Sequence, residues 1–253
     1  VATYERGRLR FWTDPFEINV SNEFHFFTPS DSVQDVTLFA KYTLRADEMF
    51  LNRMIGGTFE GSNDPDFREK EVLYLINEKP KRLQTVVQSY SSKSYRYVRY
   101  IGPKDSHCNI AEAAFYTPND TASLKGKVIG TPGCFQKDGS HEYTNVFDGD
   151  VTTSFDYIES SGGWSGLDLG TPKQIGKIVY TPRNYDNYVC HGDDYELFYC
   201  SQDKWKSLGK QTSYADSLVY KNVPINVLLL LKNHDRGIQE RIFTYQERSQ
   251  VWK

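Results

Sequence analysis

A short segment near the middle of the chain concentrates oxygen-bearing side chains. Within residues 145–155, the turn Asp148-Gly149-Asp150 is followed by Thr153, which places two carboxylates and a hydroxyl in one loop. Hard cations such as calcium prefer ligands of this kind, about six to eight oxygens for each ion. The helix-loop-helix calcium pattern is absent, however, and an Asp-Gly pair is also common in ordinary turns. The residues alone therefore leave two interpretations open, a cation loop and a plain turn.

Two other loops combine aromatic rings with planar polar groups. A sugar has an apolar face that stacks on an aromatic ring, and hydroxyl groups that need rigidly held hydrogen-bond partners. The two loops cover residues 156–164 and 183–191. Their candidate ligand-binding residues are Asp156, Tyr157, Trp164, Arg183, Asn184, Tyr185, Asn187, Tyr188 and His191.

These candidates also have structural interpretations. Trp164 precedes a predicted strand, so its indole is either buried or available to a ligand. Arg183 either contacts a ligand or pairs with a carboxylate such as Asp156 or Asp194. The tyrosines of the second loop are flanked by polar residues, so we expect their rings to be exposed. The histidine of that loop is expected to form hydrogen bonds within the loop.

We expect short strands to position these loops. Tyr, Phe, Val, Ile and Thr dominate the stretches of sequence between the predicted turns, and these residue types favour β-strands. Several stretches alternate between the two faces of a sheet, and clusters of Gly, Pro, Asn and Asp between them indicate turns. The predicted strands cover residues 8–12, 22–27, 36–42, 72–76, 95–101, 176–181, 195–200, 227–231 and 241–245. One helical turn is predicted at residues 46–53. The pattern predicts an all-β chain built of β-sandwiches.

The composition excludes several classes of protein. The chain of 253 residues has 33 acidic and 30 basic side chains, and its net charge of -3 lacks the basic surplus of a dedicated nucleic-acid binder. Aromatic residues make up 15% of the chain, enough apolar surface to exclude a disordered protein. The longest aliphatic run, residues 227–231, is far shorter than the roughly 20 residues of a membrane helix. We therefore expect no membrane insertion.

The four cysteines are Cys108, Cys134, Cys190 and Cys200. They form no C-x-x-C pair, so zinc ribbons and thioredoxin-like redox motifs are unsupported. A Cys190–Cys200 disulfide is one alternative, but buried free thiols are the favoured interpretation. The chain starts at Val1 and shows no signal peptide, which indicates a processed product or a fragment.

A weak internal repeat suggests two domains. Residues 110–115 (Ile-Ala-Glu-Ala-Ala-Phe) resemble residues 238–243 (Ile-Gln-Glu-Arg-Ile-Phe), and each segment follows a strand-like run and a polar loop. Chance similarity over six residues is the alternative. The Pro, Asn and Asp of residues 117–120 are suitable for a linker. The predicted domains are therefore two tandem β-sandwiches, residues 1–118 and 119–253.

The Asp148-Gly149-Asp150 turn, with Thr153 and Phe155, resembles the hallmark of discoidin-like domains, which are also called coagulation factor 5/8 type C domains. The following segments look like later strands of that family: residues 166–170, 175–180, 195–199 and 238–243. Residues 54–63, 95–100 and 109–116 are similar to a divergent discoidin-like half that precedes this one in surface proteins of Bacteroides-type bacteria. This sequence departs from the family pattern at position 155, which is Phe here and more often Trp in the family.

The resemblance implies an eight-stranded jelly roll with a structural calcium ion beneath ligand loops that cluster at one end. Carried over by position, the calcium ligands are Asn145, Asp148, Asp150, Thr153 and Glu240, with Asn145 and Asp150 contributing backbone carbonyls. Glu112 of the first half matches the closing glutamate of the family. No Asp-Gly loop accompanies it in that half, so no equivalent calcium is expected there.

Many bacterial members of the family are family 32 carbohydrate-binding modules. The resemblance thus implies a non-catalytic carbohydrate-binding module, attached to or derived from a larger glycan-processing protein. Its expected partner is a glycan with a galactose-type or other hexose unit, and a monomer is favoured. The expected location is extracellular, on the cell surface or in the periplasm.

Two other functions stay open. The catalytic motifs of serine hydrolases, zinc proteases, phosphate loops and dinucleotide-binding proteins are absent, but abundant carboxylates leave a glycosidase pair as an alternative. Adhesion to a protein, a cell surface or a membrane is the other. Acidic residues in the candidate loops disfavour an anionic membrane.

Overall fold

The protein is described by a computed structural model that covers residues 2–43, 45–236 and 240–253, and most of its regular structure is strand. In chain order the strands are β1 (Ala2–Glu5), β2 (Arg8–Phe11), β3 (Phe16–Ile18), β4 (Phe24–Phe26), β5 (Val33–Leu38), β6 (Thr58–Ser62), β7 (Lys70–Leu75), β8 (Thr85–Gln88), β9 (Ser94–Ile101), β10 (Cys108–Tyr116), β11 (Lys127–Gly130), β12 (Phe155–Asp156), β13 (Trp164–Gln174), β14 (Lys177–Pro182), β15 (Asp194–Ser201), β16 (Lys204–Thr212), β17 (Leu218–Pro224), β18 (Leu229–Asn233), β19 (Ile242–Gln246) and β20 (Ser249–Trp252). Helix α1 spans Arg45–Arg53, and a 3₁₀ helix spans Tyr143–Phe147. The prediction of an all-β chain with sheets that form sandwiches is confirmed.

The local sequence pattern located nine of the twenty described strands, and also helix α1. Each of the nine predicted strands overlaps an observed strand, and the predicted helical turn coincides with α1. Strand β9 shows why, because the side chains of Tyr95 and Tyr97 point to one face and are both buried. Strand β17 was not among the predicted strands.

The chain divides into two compact units at positions that differ from the predicted boundary. Leu44–Asp186 forms one unit, called here the central unit, and Val1–Thr43 with Asn187–Lys253 forms the other, called here the terminal unit. The predicted boundary between residues 118 and 119 therefore falls inside the central unit. Strand pairing explains the difference, because β9 pairs with β13 and β10 pairs with β14 across that boundary.

The central unit is a sandwich of two antiparallel sheets. One sheet has the order β12-β10-β14-β8, and the other has the order β11-β13-β9-β6-β7. Both sheets contribute buried side chains to one hydrophobic core, and burial of this apolar surface is the main force that holds them together. The largest fully buried members of that core are Met54, Phe59, Ile76, Tyr100, Phe115, Phe155 and Tyr180.

The terminal unit has a five-stranded sheet in the order β16-β15-β18-β19-β20 and a two-stranded sheet of β17 and β5. Its separate core is formed by Val36, Leu38, Val189, Tyr195, Leu197, Leu218, Tyr220, Val223, Val227, Leu229, Leu231 and Phe243. Two hairpins, β1–β2 and β3–β4, precede β5. Within the described ranges, no helix combines the length and the apolar character that crossing a bilayer requires.

The two segments of the weak sequence repeat do not lie in equivalent positions of their sheets, because the strands around them pair differently. Strands β9 and β10 belong to different sheets of the central unit, whereas β18 and β19 pair directly in the terminal unit. Ile238 and Gln239, which carry part of the repeat, lie outside the described residues. The four cysteines are free and buried, which agrees with the favoured interpretation of the thiols.

Candidate functional site

An ion pair between Arg183 and Asp156 is the centre of the candidate site. The Arg183 guanidinium donates a hydrogen bond to the Asp156 carboxylate, and the two side chains are only 15% and 10% exposed. Of the two interpretations of Arg183, pairing with Asp156 is confirmed. The other carboxylate considered, that of Asp194, pairs with Lys210 at 3.2 Å.

Strand β10 explains why these two residues meet. It lies between β12, which carries Asp156, and β14, which ends immediately before Arg183. Asn109 sits at a bulge in β10 with a positive φ of 50°, and its backbone carbonyl accepts a hydrogen bond from the Arg183 N–H at 3.1 Å. Its Oδ1 also lies 3.5 Å from an Arg183 nitrogen. Bulges are common beside functional sites, where they redirect a side chain.

On the arginine side of the pair, Arg183 packs against Phe50, and Phe50 in turn contacts the partly exposed ring of Tyr185. Phe50 of α1 is buried, and its ring centre lies 4.4 Å from the Arg183 guanidinium carbon. The ring of Tyr185 lies 5.3 Å from that of Phe50 and is 46% exposed. The prediction that Tyr185 is exposed is therefore confirmed.

A second exposed ring belongs to Phe135, whose backbone hydrogen-bonds to the backbone of Asp156. The N–H of Phe135 donates a hydrogen bond to the Asp156 carbonyl at 2.8 Å, and the Phe135 ring is 57% exposed. The ring of His107 contacts it edge-on at 5.3 Å, and His107 Nδ1 lies 2.9 Å from the Tyr157 carbonyl. Sequence reasoning missed Phe135, although an aromatic residue in a polar loop is the same signal that selected Tyr185.

Two other predicted residues of the central unit, Tyr157 and Asn184, support the fold. Tyr157 is half-buried against the core, and its ring lies 5.9 Å from Phe155. Asn184 holds its own loop, because its Nδ2 donates to the Val151 and Pro182 carbonyls.

Trp164 does not belong to this cluster. It begins β13 in the five-stranded sheet, whereas Asp156 lies in the four-stranded sheet. The Trp164 ring lies 5.8 Å from Phe67 and 5.2 Å from the Arg99 guanidinium carbon. Its role is thus a packing one, within a half-buried aromatic and cationic stack.

The remaining predicted ligand contacts belong to the terminal unit. Asn187 is buried, and its Oδ1 accepts a hydrogen bond from the Tyr42 N–H at 2.8 Å. Tyr188 is also buried, so the prediction of an exposed ring is wrong there; its backbone forms an antiparallel bridge with Ala40. His191 is exposed, and its ring lies 6.4 Å from Tyr214.

Side chains and backbone groups of the Asp148 loop form a network of hydrogen bonds with one another. Thr153 Oγ1 donates to Asp148 Oδ2 at 2.8 Å, and the Asp150 N–H donates to Asp148 Oδ1 at 2.8 Å. Asp150 Oδ1 accepts from the Thr152 N–H, while Asn145 Nδ2 donates to the Ser140 and Ser154 carbonyls. Gly149 has a positive φ of 86°, a conformation that glycine adopts without strain.

Glu112 of β10 reaches this loop. Its Oε1 accepts a hydrogen bond from the Gly149 N–H at 2.8 Å. Burial raises the pKa of Glu112 to about 8, and so does a hydrogen bond in which the protonated Glu112 carboxyl donates to the neighbouring Asp148 carboxylate. Two carboxyl groups in contact need a proton or a cation between them. The first half of the sequence has no Asp-Gly loop of its own, but the fold brings Glu112 to the loop at residues 148–150.

Glu240, the predicted closing ligand, belongs to the terminal unit and is half-buried. Its Oε1 is buried and has no hydrogen-bond partner among the described residues. Within those residues, no group of three or more His, Cys, Asp or Glu side chains is arranged to hold a metal ion. The acidic side chains at the Asp148 loop are those of Asp148 and Asp150 in the loop itself and that of Glu112, which reaches it from β10.

No family model, no curated protein and no solved structure matches this chain.

Proposed function

We propose that this protein is a non-catalytic carbohydrate-binding module. The observation that carries the proposal is the largely buried Arg183–Asp156 pair, together with two exposed aromatic residues. Tyr185 is connected to the pair through the ring of Phe50, and Phe135 through a backbone hydrogen bond to Asp156. Sugar sites need fixed polar groups beside aromatic surface. Because the pair neutralises its own charges, it favours a neutral ligand, such as a galactose-type or other hexose unit, over an ionic one.

Helix α1, which carries Phe50, also borders a cavity of about 660 Å³. Its lining includes the charged residues Glu48, Arg53, Lys104 and Asp105, and it does not include Arg183, Asp156, Tyr185 or Phe135. The cavity is therefore separate from the Arg183–Asp156 pair.

A structural calcium ion at the Asp148 loop belongs to the proposal. The contact between the Glu112 and Asp148 carboxyl groups supports it, because a cation would replace the proton that this contact otherwise needs. The residues that would hold the ion are Glu112, Asp148 and Thr153, with carbonyls of Asn145 and Asp150. The ion would neutralise the carboxylates and fix the loop. Glu112 thus takes the place that the resemblance gave to Glu240.

The finer assignments rest on the resemblance alone. A discoidin-like jelly roll and a secreted or surface-anchored bacterial protein agree with a β-sandwich that presents its candidate site on loops. A glycan array, probed with and without a calcium chelator, tests the binding function directly.

Two aromatic substitutions, measured on the same glycan array, test whether these rings form the binding site. Tyr185→Ala and Phe135→Ala should each weaken glycan binding by about tenfold, which corresponds to about 1.4 kcal/mol for a lost stacking partner. Tyr214→Ala is the control, because Tyr214 is an 82% exposed tyrosine outside the site. Equal binding by all three variants would contradict the site. Turnover of chromogenic glycosides that one Asp or Glu substitution abolishes would favour the glycosidase alternative.

A further inference from the structure

The loop that precedes β10 has an unusual backbone beside the candidate site. His107, Cys108 and Asn109 are three consecutive residues other than glycine in the left-handed region, with φ of 57°, 77° and 50°. Such conformations persist only where the surrounding structure holds them, and they cluster at functional sites. This loop contacts the Arg183–Asp156 pair, because the Asn109 carbonyl accepts a hydrogen bond from the Arg183 N–H at 3.1 Å.

Hydrogen bonds to residues 157–163 hold His107 and Cys108 in this conformation. The His107 N–H donates to the Ser160 carbonyl at 3.1 Å, and the His107 carbonyl accepts from the Tyr157 N–H at 2.7 Å. The Cys108 thiol donates to the Gly163 carbonyl at 3.0 Å. The backbone position of His107 is therefore set by the protein itself.

The contact of His107 Nδ1 defines the tautomer of its neutral ring. Nδ1 lies 2.9 Å from the Tyr157 carbonyl oxygen, and a carbonyl oxygen can only accept a hydrogen bond. Nδ1 therefore carries the proton. The other ring nitrogen, Nε2, then has a lone pair and acts as a hydrogen-bond acceptor.

Nε2 of His107 is accessible to a ligand. It has no hydrogen-bond partner among the described residues, and the side chain is half-buried. In the same residues, the buried polar side-chain atoms without a partner belong to Ser89, Tyr188 and Glu240, so Nε2 of His107 reaches solvent.

An exposed aromatic ring stands next to this acceptor. The rings of His107 and Phe135 are 5.3 Å apart and nearly perpendicular, at 78°, and Phe135 is 57% exposed. An apolar ligand face can stack on such a ring. A ligand unit on Phe135 is therefore a neighbour of the His107 imidazole.

We propose that His107 is a ligand-binding residue that selects a sugar with a hydroxyl or amide N–H beside the face stacked on Phe135. This inference rests on the proposed carbohydrate-binding function and adds a requirement to it. Nε2 accepts the hydrogen bond from that ligand group. A ligand carboxylate at the same position would meet the Nε2 lone pair, so the neutral ring favours a neutral hexose unit over an acidic sugar.

NMR of the imidazole nitrogens in the free, full chain tests the first step without any ligand. Long-range proton–nitrogen correlation spectra at neutral pH distinguish the two tautomers, and the spectrum of His107→Asn identifies the His107 signals. We expect the form with the proton on Nδ1. A ring protonated on Nε2 would overturn the inference, whatever the protein binds.

Hydroxyl deletion tests the second step. Methyl galactoside, methyl glucoside and their monodeoxy derivatives are titrated into the wild-type protein and into His107→Asn. Asparagine tolerates the left-handed conformation and has an N–H for the Tyr157 carbonyl, but it has no acceptor in place of Nε2. In the wild type, one deoxygenation should weaken binding about tenfold; His107→Asn should bind the parent glycoside about tenfold more weakly and lose nothing further with that derivative.

His191→Asn is the control, because His191 is an exposed histidine of the terminal unit, and it should bind like the wild type. Amide NMR spectra show whether each variant is folded, and the tautomer decides the inference if His107→Asn is not. Equal losses on every deoxygenation in the wild type and His107→Asn would overturn the role of His107. If Phe135→Ala still weakened binding, the carbohydrate function would stand. Absence of binding by every glycoside would overturn both.

Discussion

At the scale of single residues, the Arg183–Asp156 pair carries the clearest prediction of stability. Arg183→Ala would leave the Asp156 carboxylate buried and without its charged partner. Removing one member of a buried pair typically costs about 3–5 kcal/mol, because the remaining charge stays desolvated. We expect a loss near the lower figure, about 3 kcal/mol, in urea-induced unfolding of the central unit followed by fluorescence.

An exposed ion pair provides the matched control. Arg68 pairs with Asp64 at 2.9 Å, but its side chain is largely in solvent. Arg68→Ala should therefore change stability far less than Arg183→Ala, since exposed pairs contribute little. Similar losses in the two variants would show that the Arg183–Asp156 pair is not desolvated as described.

Calcium provides a second prediction at this scale. If the ion is bound through Glu112, calcium should raise the melting temperature of the wild-type protein, by an amount that corresponds to about 2.7 kcal/mol at a free concentration of about 100 times the Kd. Glu112→Gln should lose most of that response, whereas Glu240→Gln should keep it. Calorimetry with calcium and with chelator measures both. A response lost only in Glu240→Gln would restore the assignment made by resemblance.

At the scale of elements, a charged pair joins β9 to β13. Arg96 donates two hydrogen bonds to the Asp168 carboxylate, at 2.8 and 2.9 Å. Arg96, and then the Gly170 N–H, lower the pKa of Asp168 below its ordinary value of 3.8. The folded state therefore holds this carboxylate ionised more readily than the unfolded chain does, so its stabilisation is present above pH 3.8 and disappears as the pH falls through the lowered pKa.

Thermal unfolding from neutral to acidic pH tests this pair. The melting temperature of the wild-type protein should fall more steeply on acidification than that of Asp168→Asn, which has no carboxylate to protonate. Arg96→Gln should flatten the profile in the same way, because it removes the group that lowers the pKa. Parallel profiles for all three proteins would show that the pair does not link the strands.

Elements are also the scale at which sequence reasoning succeeded. Alternation along a strand is a local property, so residues 95–101 were sufficient to locate β9, and residues 46–53 to locate α1. The partner of a strand is not a local property. Nothing near Glu112 in the sequence indicates that its carboxyl group contacts a loop at residues 148–150, and the ring of Phe50 reaches Arg183 for a similarly non-local reason.

At the scale of the whole molecule, strand pairing decides where an independently folding unit begins and ends. All strands of the two sandwich sheets at residues 58–182 lie within Leu44–Asp186, and so does the core that they enclose. A cut after residue 118 separates β9 from β13 and β10 from β14. The exposed strand edges and apolar faces that result have no partner within either piece.

Three fragments should therefore behave differently. Residues 44–186 should fold alone, with a β-sheet circular dichroism spectrum, dispersed amide NMR signals and a cooperative thermal transition. Residues 1–118 and 119–253, cut at the boundary that the repeat suggested, should each give poor dispersion and aggregate, because each lacks the strands that complete the central sheets. A soluble, cooperatively folded 119–253 fragment would instead support two tandem domains. The fragment 44–186 contains Arg183, Asp156, Tyr185 and Phe135, so it should also retain glycan binding.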